Sequence, residues 1–147
     1  MKVTTGTRYG TRAMLDLALN YESGLITSKG IADHQQVSVK YLEILLATLR
    51  KAGLVRSVRG AQGGHTLARP AGKIDLREIF EALEGPEGLV ECATNPQICN
   101  RSQSCVTQPV WAAMHAACMG VLEGITLDDL ARRAQEKQKP PATMYCI

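Results

Sequence analysis

At 147 residues, the chain has the size of one ordinary domain and can bury a core without disulfide staples. A composition of 45% hydrophobic and 21% charged residues excludes disordered and fibrous classes, and no apolar run approaches the roughly 18 residues that a membrane span needs. The net charge of +3 divides unevenly: residues 1–70 carry ten Lys and Arg against four Asp and Glu, and residues 71–147 carry seven against ten.

The opening Met1-Lys2-Val3-Thr4-Thr5 lacks the apolar stretch of a secretion signal. A soluble cytoplasmic protein is expected, with its five cysteines as reduced thiols or ligands rather than disulfides. The basic first half points to a polyanion partner, because phosphate neutralisation supplies most sequence-independent affinity for nucleic acid. A solvated basic face is the competing reading.

Residues 8–21 read as a helix, with Tyr9, Ala13, Met14, Leu17, Ala18 and Tyr21 at helical spacing and Gly24 to end it. Thr27 or Ser28 can cap a short second helix over 29–34. Gln36-Val37 make a tight turn, and Ser38 caps a third helix from Val39 to Lys51. The buried face of that helix is Leu42, Leu45, Leu46 and Leu49, and Gly53 closes it. The period then changes. Residues 54–60 and 65–69 are two short strands joined by the turn Ala61-Gln62-Gly63-Gly64, and Pro70 ends the hairpin. A further helix spans 76–83 with Asp75 as its cap, and Gly85-Pro86 breaks it.

Helix, helix, short turn, helix and hairpin is the winged helix-turn-helix order. In such a domain the third helix enters the major groove, and the wing reaches the neighbouring backbone or minor groove. Lys40, Tyr41 and Glu43 lie near the start of the third helix, where side chains meet base edges. Arg56 and Arg59 lie in the wing, with Arg59 at a Gly-flanked tip suited to a narrow minor groove. Ser28, at the start of the second helix, joins this DNA-facing set. The alternative is a bare scaffold with arginines for solubility.

From Glu91 the sequence reads ECATNPQICNRSQSCVTQPVW, with Cys92, Cys99 and Cys105 in a stretch poor in apolar residues. A structural cysteine is usually buried among hydrophobes; three thiols in a polar, flexible loop read as metal or redox chemistry. The spacing is not the C-x2-C of a zinc finger, and iron–sulfur ligation by three thiolates plus a fourth group fits at least as well. Redox thiols and incidental cysteines stay open.

A helix then runs from about Pro109 to Leu122, apolar on most of its circumference, which predicts burial. DNA half-sites usually imply a symmetric dimer, so its expected partner is the same helix of a second chain. His115 and Cys118 lie on its apolar stripes. A short helix over 127–137, capped by Thr126, is expected to pack beside it, and the tail from Lys139 is expected to be mobile.

These motifs together resemble the Rrf2 family of bacterial regulators, most of all its iron–sulfur-sensing members, over roughly residues 1–132. The resemblance is carried by Gly6-Thr7-Arg8-Tyr9-Gly10, Ala13-Met14-Leu15-Asp16, Ser38-Val39-Lys40-Tyr41-Leu42-Glu43, Leu49-Arg50-Lys51-Ala52-Gly53-Leu54-Val55, Ser57-Val58-Arg59-Gly60 and the three-cysteine loop. It implies a homodimeric winged-helix transcription factor. It also implies Cys92, Cys99 and Cys105 as ligands of a [2Fe–2S] or [4Fe–4S] cluster, Ser38, Lys40, Tyr41 and Glu43 as groove-facing residues, and Arg59 in the minor groove.

One departure concerns the fourth ligand. Cluster-binding members place a His three residues after the last cysteine, and here that residue is Gln108. Nitric-oxide-sensing members draw an Asp from the first helix, where this chain carries Arg8. The remaining candidates are His34, His65, His115, Cys118 and Cys146, or a small exogenous ligand.

The expected architecture is thus mostly α with a small β wing, a winged helix-turn-helix plus a long C-terminal dimerisation helix. It divides into a DNA-binding region over 1–84, a cysteine-rich cluster loop over 85–108, the dimerisation and packing helices over 109–138, and the tail over 139–147. The expected function is operator binding modulated by the cluster, in a protein that is not an enzyme: no Ser/His/Asp constellation is evident, and Gly60-Ala61-Gln62-Gly63-Gly64 sits in a hairpin rather than before a helix. The alternatives are a cluster-free thiol switch and a regulator that docks on a metabolic enzyme.

Overall fold

The computed structural model describes residues 3–85 and 90–138. The expectations placed on Pro86, on Cys146 and on a mobile tail lie outside the described residues. The elements run α1 (Thr5–Leu19), α2 (Ser28–Gln35), α3 (Val39–Lys51), β1 (Val55–Val58), β2 (Gly64–Leu67), α4 (Leu76–Glu84), α5 (Glu91–Thr94), α6 (Gln108–Glu123) and α7 (Leu127–Gln138). The winged-helix order and the small antiparallel sheet are as read from the sequence.

Helix α1 begins before its apolar periodicity does, because Thr4 caps it by accepting from the Thr7 N–H at 3.2 Å. The Glu84 carboxylate, at the end of α4, accepts from the Thr4 N–H at 3.1 Å, from the Thr4 hydroxyl at 2.6 Å and from the Thr7 hydroxyl. Desolvation raises the Glu84 pKa, but these donors outweigh it and hold the carboxyl below its ordinary value. The helix also stops earlier than expected. The Asn20 side chain donates to the Asp16 carbonyl at 2.9 Å and to its carboxylate at 3.2 Å, and Tyr21 falls in a separate 3-10 turn, Tyr21–Ser23.

The α2–α3 unit is built by local chemistry. Thr27, not Ser28, caps α2 by accepting from the Gly30 N–H at 3.1 Å. Gln36 takes the left-handed conformation, φ +55°, which lets the Val37 N–H return to the Ala32 carbonyl at 3.1 Å. Ser38 then caps α3 by accepting from the Tyr41 N–H at 3.2 Å. Ser38→Ala should therefore lower stability by about 1 kcal/mol, read as a fall in the urea midpoint; an unchanged midpoint would show that the cap contributes nothing.

Leu42, Leu45, Leu46 and Leu49 are buried as expected. At the far end of α3, Gly53 adopts φ +75°, so that the Leu54 N–H bonds the Leu49 carbonyl at 3.0 Å. The core they enter also contains Met14 and Leu17 of α1, Ile31 of α2, and Leu67, Ile74 and Ile79.

Two long-range features were not legible in the sequence. The wing pairs Val55 with Leu67 through Val58 with Gly64, and Ile26 adds a third, one-residue bridge: its N–H donates to the His65 carbonyl at 3.0 Å, and the His65 N–H donates back at 2.7 Å. Helix α7 packs against α1 and the Ala71–Lys73 turn rather than chiefly beside α6. Thr126 and Asp129 cap its start reciprocally, and the Leu127 N–H bonds the Ile74 carbonyl at 2.9 Å. That bond draws Leu127 into the core, where it is fully buried. Among the described residues no helix is long and apolar enough to cross a membrane.

Candidate nucleic-acid interface and cysteine loop

The rigid placement of α3 against α1 and α2 turns its opposite face outward. Lys40 and Glu43 are exposed on that face, as are Arg56 on β1 and Arg59 just beyond it. Tyr41 is only half exposed. Its ring meets Tyr9 edge-on, with centroids 6.3 Å apart and planes at 88°, and Arg12 lies over the Tyr9 ring at 5.4 Å. Tyr41 thus also braces the start of α3 against α1, a role that spacing on one helix could not reveal. Ser38 spends its hydroxyl on the cap, and Ser28 spends its own on His65.

His65 is the junction of wing and helix unit. Its Nε2 lies 2.8 Å from the Ser28 hydroxyl on α2, and its Nδ1 lies 2.8 Å from the Ser57 hydroxyl on β1. A polar hollow of about 200 Å³, lined by Ser28, Glu43, Arg50, Ser57 and His65 among others, separates α3 from the wing base. Burial, then the Arg50 charge, lower the pKa of His65, with Glu43 opposing them. A base whose folded pKa is depressed leaves more protons on the unfolded chain, so its contribution is complete above the unfolded value of about 6.5 and is lost as the pH falls through it. His65→Gln, which cannot protonate, should flatten the fall in urea midpoint between about pH 7.5 and pH 5. An unaltered fall in the variant would assign it to other groups.

The cysteine segment is more ordered than a flexible loop. Cys92 lies in α5, Cys99 follows the 3-10 turn Pro96–Ile98, and Cys105 precedes α6. Its short elements have too few residues to show periodicity, so the sequence could not display them. Helix α5 packs on α6, and the Gln108 amide Nε2 donates to the Cys92 carbonyl at 2.9 Å. The thiols of Cys92, Cys99 and Cys105 are unbridged and partly exposed. Cys105 Sγ lies 3.3 Å from the Thr107 hydroxyl. That hydroxyl, then the Thr107 and Gln108 N–H groups and the Arg101 charge, lower the thiol pKa and favour the thiolate.

Among the described residues no three His, Cys, Asp or Glu side chains stand together closely enough to grip a metal ion. The donor set nevertheless fits an iron–sulfur group in kind: three free thiols on one segment, one of them eased toward the ligating form. The candidates for a fourth position are scattered. His34 Nδ1 contacts the buried Asp16 carboxylate at 2.8 Å, and both His65 nitrogens face serines. His115 and Cys118 are half-buried on α6, and His115 Nδ1 is buried with no hydrogen-bond partner among the described residues.

Helix α6, expected to be buried, is largely uncovered within one chain. Only Met119 is buried, while Val110 is 57% and Val121 64% exposed, with Trp111 and Met114 also open. Beside it runs a mainly apolar groove of about 630 Å³, lined among others by Arg8, Arg12 and Leu15 of α1, Phe80 of α4, Met119, Val121 and Leu122 of α6, and Leu130 of α7.

Comparison with known proteins agrees with this architecture. The profile of the Rrf2 family, described as "Iron-dependent Transcriptional regulator", matches residues 3–133. The chain is 42% identical over 134 residues to the protein rrf2 of Nitratidesulfovibrio vulgaris, covering 91% of this chain and 89% of that one. Its structure is similar to that of T. potens IscR, with a TM-score of 0.80, 41% identity and coverage of 99% and 96%. It is also similar to CymR, the global cysteine regulator of B. subtilis, with a TM-score of 0.74, 35% identity and coverage of 90% and 98%.

Proposed function

The chain belongs to the Rrf2 family of iron-dependent transcriptional regulators, and from that premise we propose that it is a cytoplasmic homodimer whose operator binding is modulated by an iron–sulfur cluster held by Cys92, Cys99 and Cys105. Members of this family are DNA-binding regulators rather than enzymes. The observation that carries the finer reading is the direct attachment of the cysteine segment to α6, the helix with the uncovered apolar face. The hydrogen bond from Gln108 joins the Cys92 backbone to the first turn of that helix.

The cluster, when bound, supplies an oxidant-sensitive tie among three thiolates. The remaining work falls to the chain itself. Arg77 of α4 reaches Glu123 at the far end of α6 at 3.1 Å while also holding Glu81 at 2.8 Å, and α4 packs on both α1 and α3. A change at the loop that tilts α6 is therefore passed to the reading helix. In a dimer joined along α6 and its groove, that tilt resets the spacing of two α3 helices, shifting the population between operator-binding and non-binding dimers. Lys40 and Glu43 would face base edges, while Arg56 and Arg59 follow the backbone and minor groove. His115 and Cys118 are the fourth-ligand candidates that share the helix on which the loop packs.

The lowered pKa of Cys105 favours one competing reading, a cluster-free thiol switch that forms a sulfenic acid or disulfide. The two are separated by measuring operator affinity for anaerobically reconstituted and metal-free protein, each with and without peroxide. Cluster control predicts that reconstitution alone changes affinity and that metal-free protein ignores peroxide. A peroxide response in metal-free protein, with none to reconstitution, would replace it with the thiol switch.

A further inference from the structure

The outward face of α3 has an unusual centre for a DNA-reading surface. Counting at 100° per residue from the buried stripe Leu42, Leu45, Leu46 and Leu49, the positions directly opposite are Lys40, Ile44, Ala47 and Lys51. Two cations sit at the ends, and two aliphatic side chains lie between them. Ile44 is 58% exposed, although neighbouring leucines on the same helix are buried, so its exposure is not forced by a lack of core. Thr48, the next residue on this face, donates its hydroxyl to the Ile44 carbonyl at 3.1 Å, which commits its donor to the backbone. The middle of the face therefore offers methyl groups and no hydroxyl donor for base edges.

The one apolar feature in the major groove is the 5-methyl group of thymine. We propose that Ile44 specifies thymine in each operator half-site by packing on that methyl group, while the half-buried Ala47 beside it lines the hollow at the wing base. Lys40 and Lys51 flank the contact and draw the helix to the phosphates, which is the charge complement that selects DNA as the occupant. Glu43 lies one residue away on the same exposed surface and accepts a donor from a neighbouring base, such as cytosine N4. The inference rests on the DNA-reading role of α3 in the proposed function.

The test selects an operator from a random duplex pool with the full-length protein. It then replaces each thymine of the selected site by deoxyuridine, which removes the methyl group and nothing else. One thymine per half-site should lose about fourfold in affinity when replaced, the transfer free energy of one methyl group, and the symmetric double replacement should lose about fifteenfold. In Ile44→Ala the same replacement should change affinity by less than about twofold, with helicity unchanged because the side chain is exposed. A selected operator indifferent to deoxyuridine at every thymine overturns the inference while leaving the DNA-reading role intact; equal sensitivity in wild type and Ile44→Ala also overturns it. A pool that yields no enriched sequence overturns both. The wild-type series requires no variant to fold.

Discussion

Val121→Glu should leave a folded chain that elutes as a monomer and binds its operator at least about 100-fold more weakly than the wild type. Val121 is 64% exposed in the single chain and lines the apolar groove between α1, α4 and α6. A carboxylate there faces water in the monomer, so folding has little to lose. In a dimer closed over that groove it would be desolvated, which costs several kcal/mol even beside the Arg8 and Arg12 side chains that also line it. Loss of the second subunit then removes the effective-concentration advantage of binding two half-sites at once. Light scattering on the eluting peak and a binding titration read both effects. A dimer with undiminished affinity would show that this face is not the subunit interface.

Gly64→Ala has the next largest expected consequence, because the added methyl group meets backbone rather than a yielding side chain. An ideal Cβ at Gly64 would stand 2.7 Å from the Ile26 carbonyl oxygen and 2.9 Å from its carbon. That carbonyl is also the acceptor for the His65 N–H. Relief requires the Ile26 segment to leave β2, opening both backbone bonds and straining the Ser28–His65–Ser57 junction. A loss of about 1–3 kcal/mol is expected, with roughly a tenfold drop in operator affinity as Arg56 and Arg59 lose their fixed approach. Gly72→Ala is the control, since its Cβ would meet nothing nearer than Asp128 at 3.9 Å. Equal behaviour of the two variants, in urea unfolding and in DNA binding, would contradict the proposed junction.

What could be read in advance follows the range of the forces involved. The bounds of α3 and its cap at Ser38 are set within a few residues, and the leucine stripe, the Ser38–Tyr41 bond and the Gly53 closure stand as the sequence implied. The Ile26 bridge joins segments 39 positions apart through a single residue, too short for any strand periodicity to show. Tyr41 could be placed in the first turn of α3, yet its edge-on contact with Tyr9 depends on how α1 crosses α3. Helix α6 reads as buried because its composition is apolar all round, with a second chain as its expected cover; which of its side chains one chain leaves open, here Val110 and Val121, depends on how α1, α4 and α7 pack beside it. The cysteines marked the second half of the candidate site by type and spacing, whereas the link from Gln108 to the Cys92 carbonyl is a contact that only the folded loop creates.

The most direct test of cluster control is an assay of iron and acid-labile sulfide per protomer in protein purified without oxygen, alongside Cys99→Ser. The prediction is a coloured wild-type protein holding iron and sulfide in equal, stoichiometric amounts, and a variant that retains little of either while its helical content is unchanged. A colourless wild type with only trace iron, resisting reconstitution yet still binding DNA, would contradict it and leave Cys92, Cys99 and Cys105 as redox thiols.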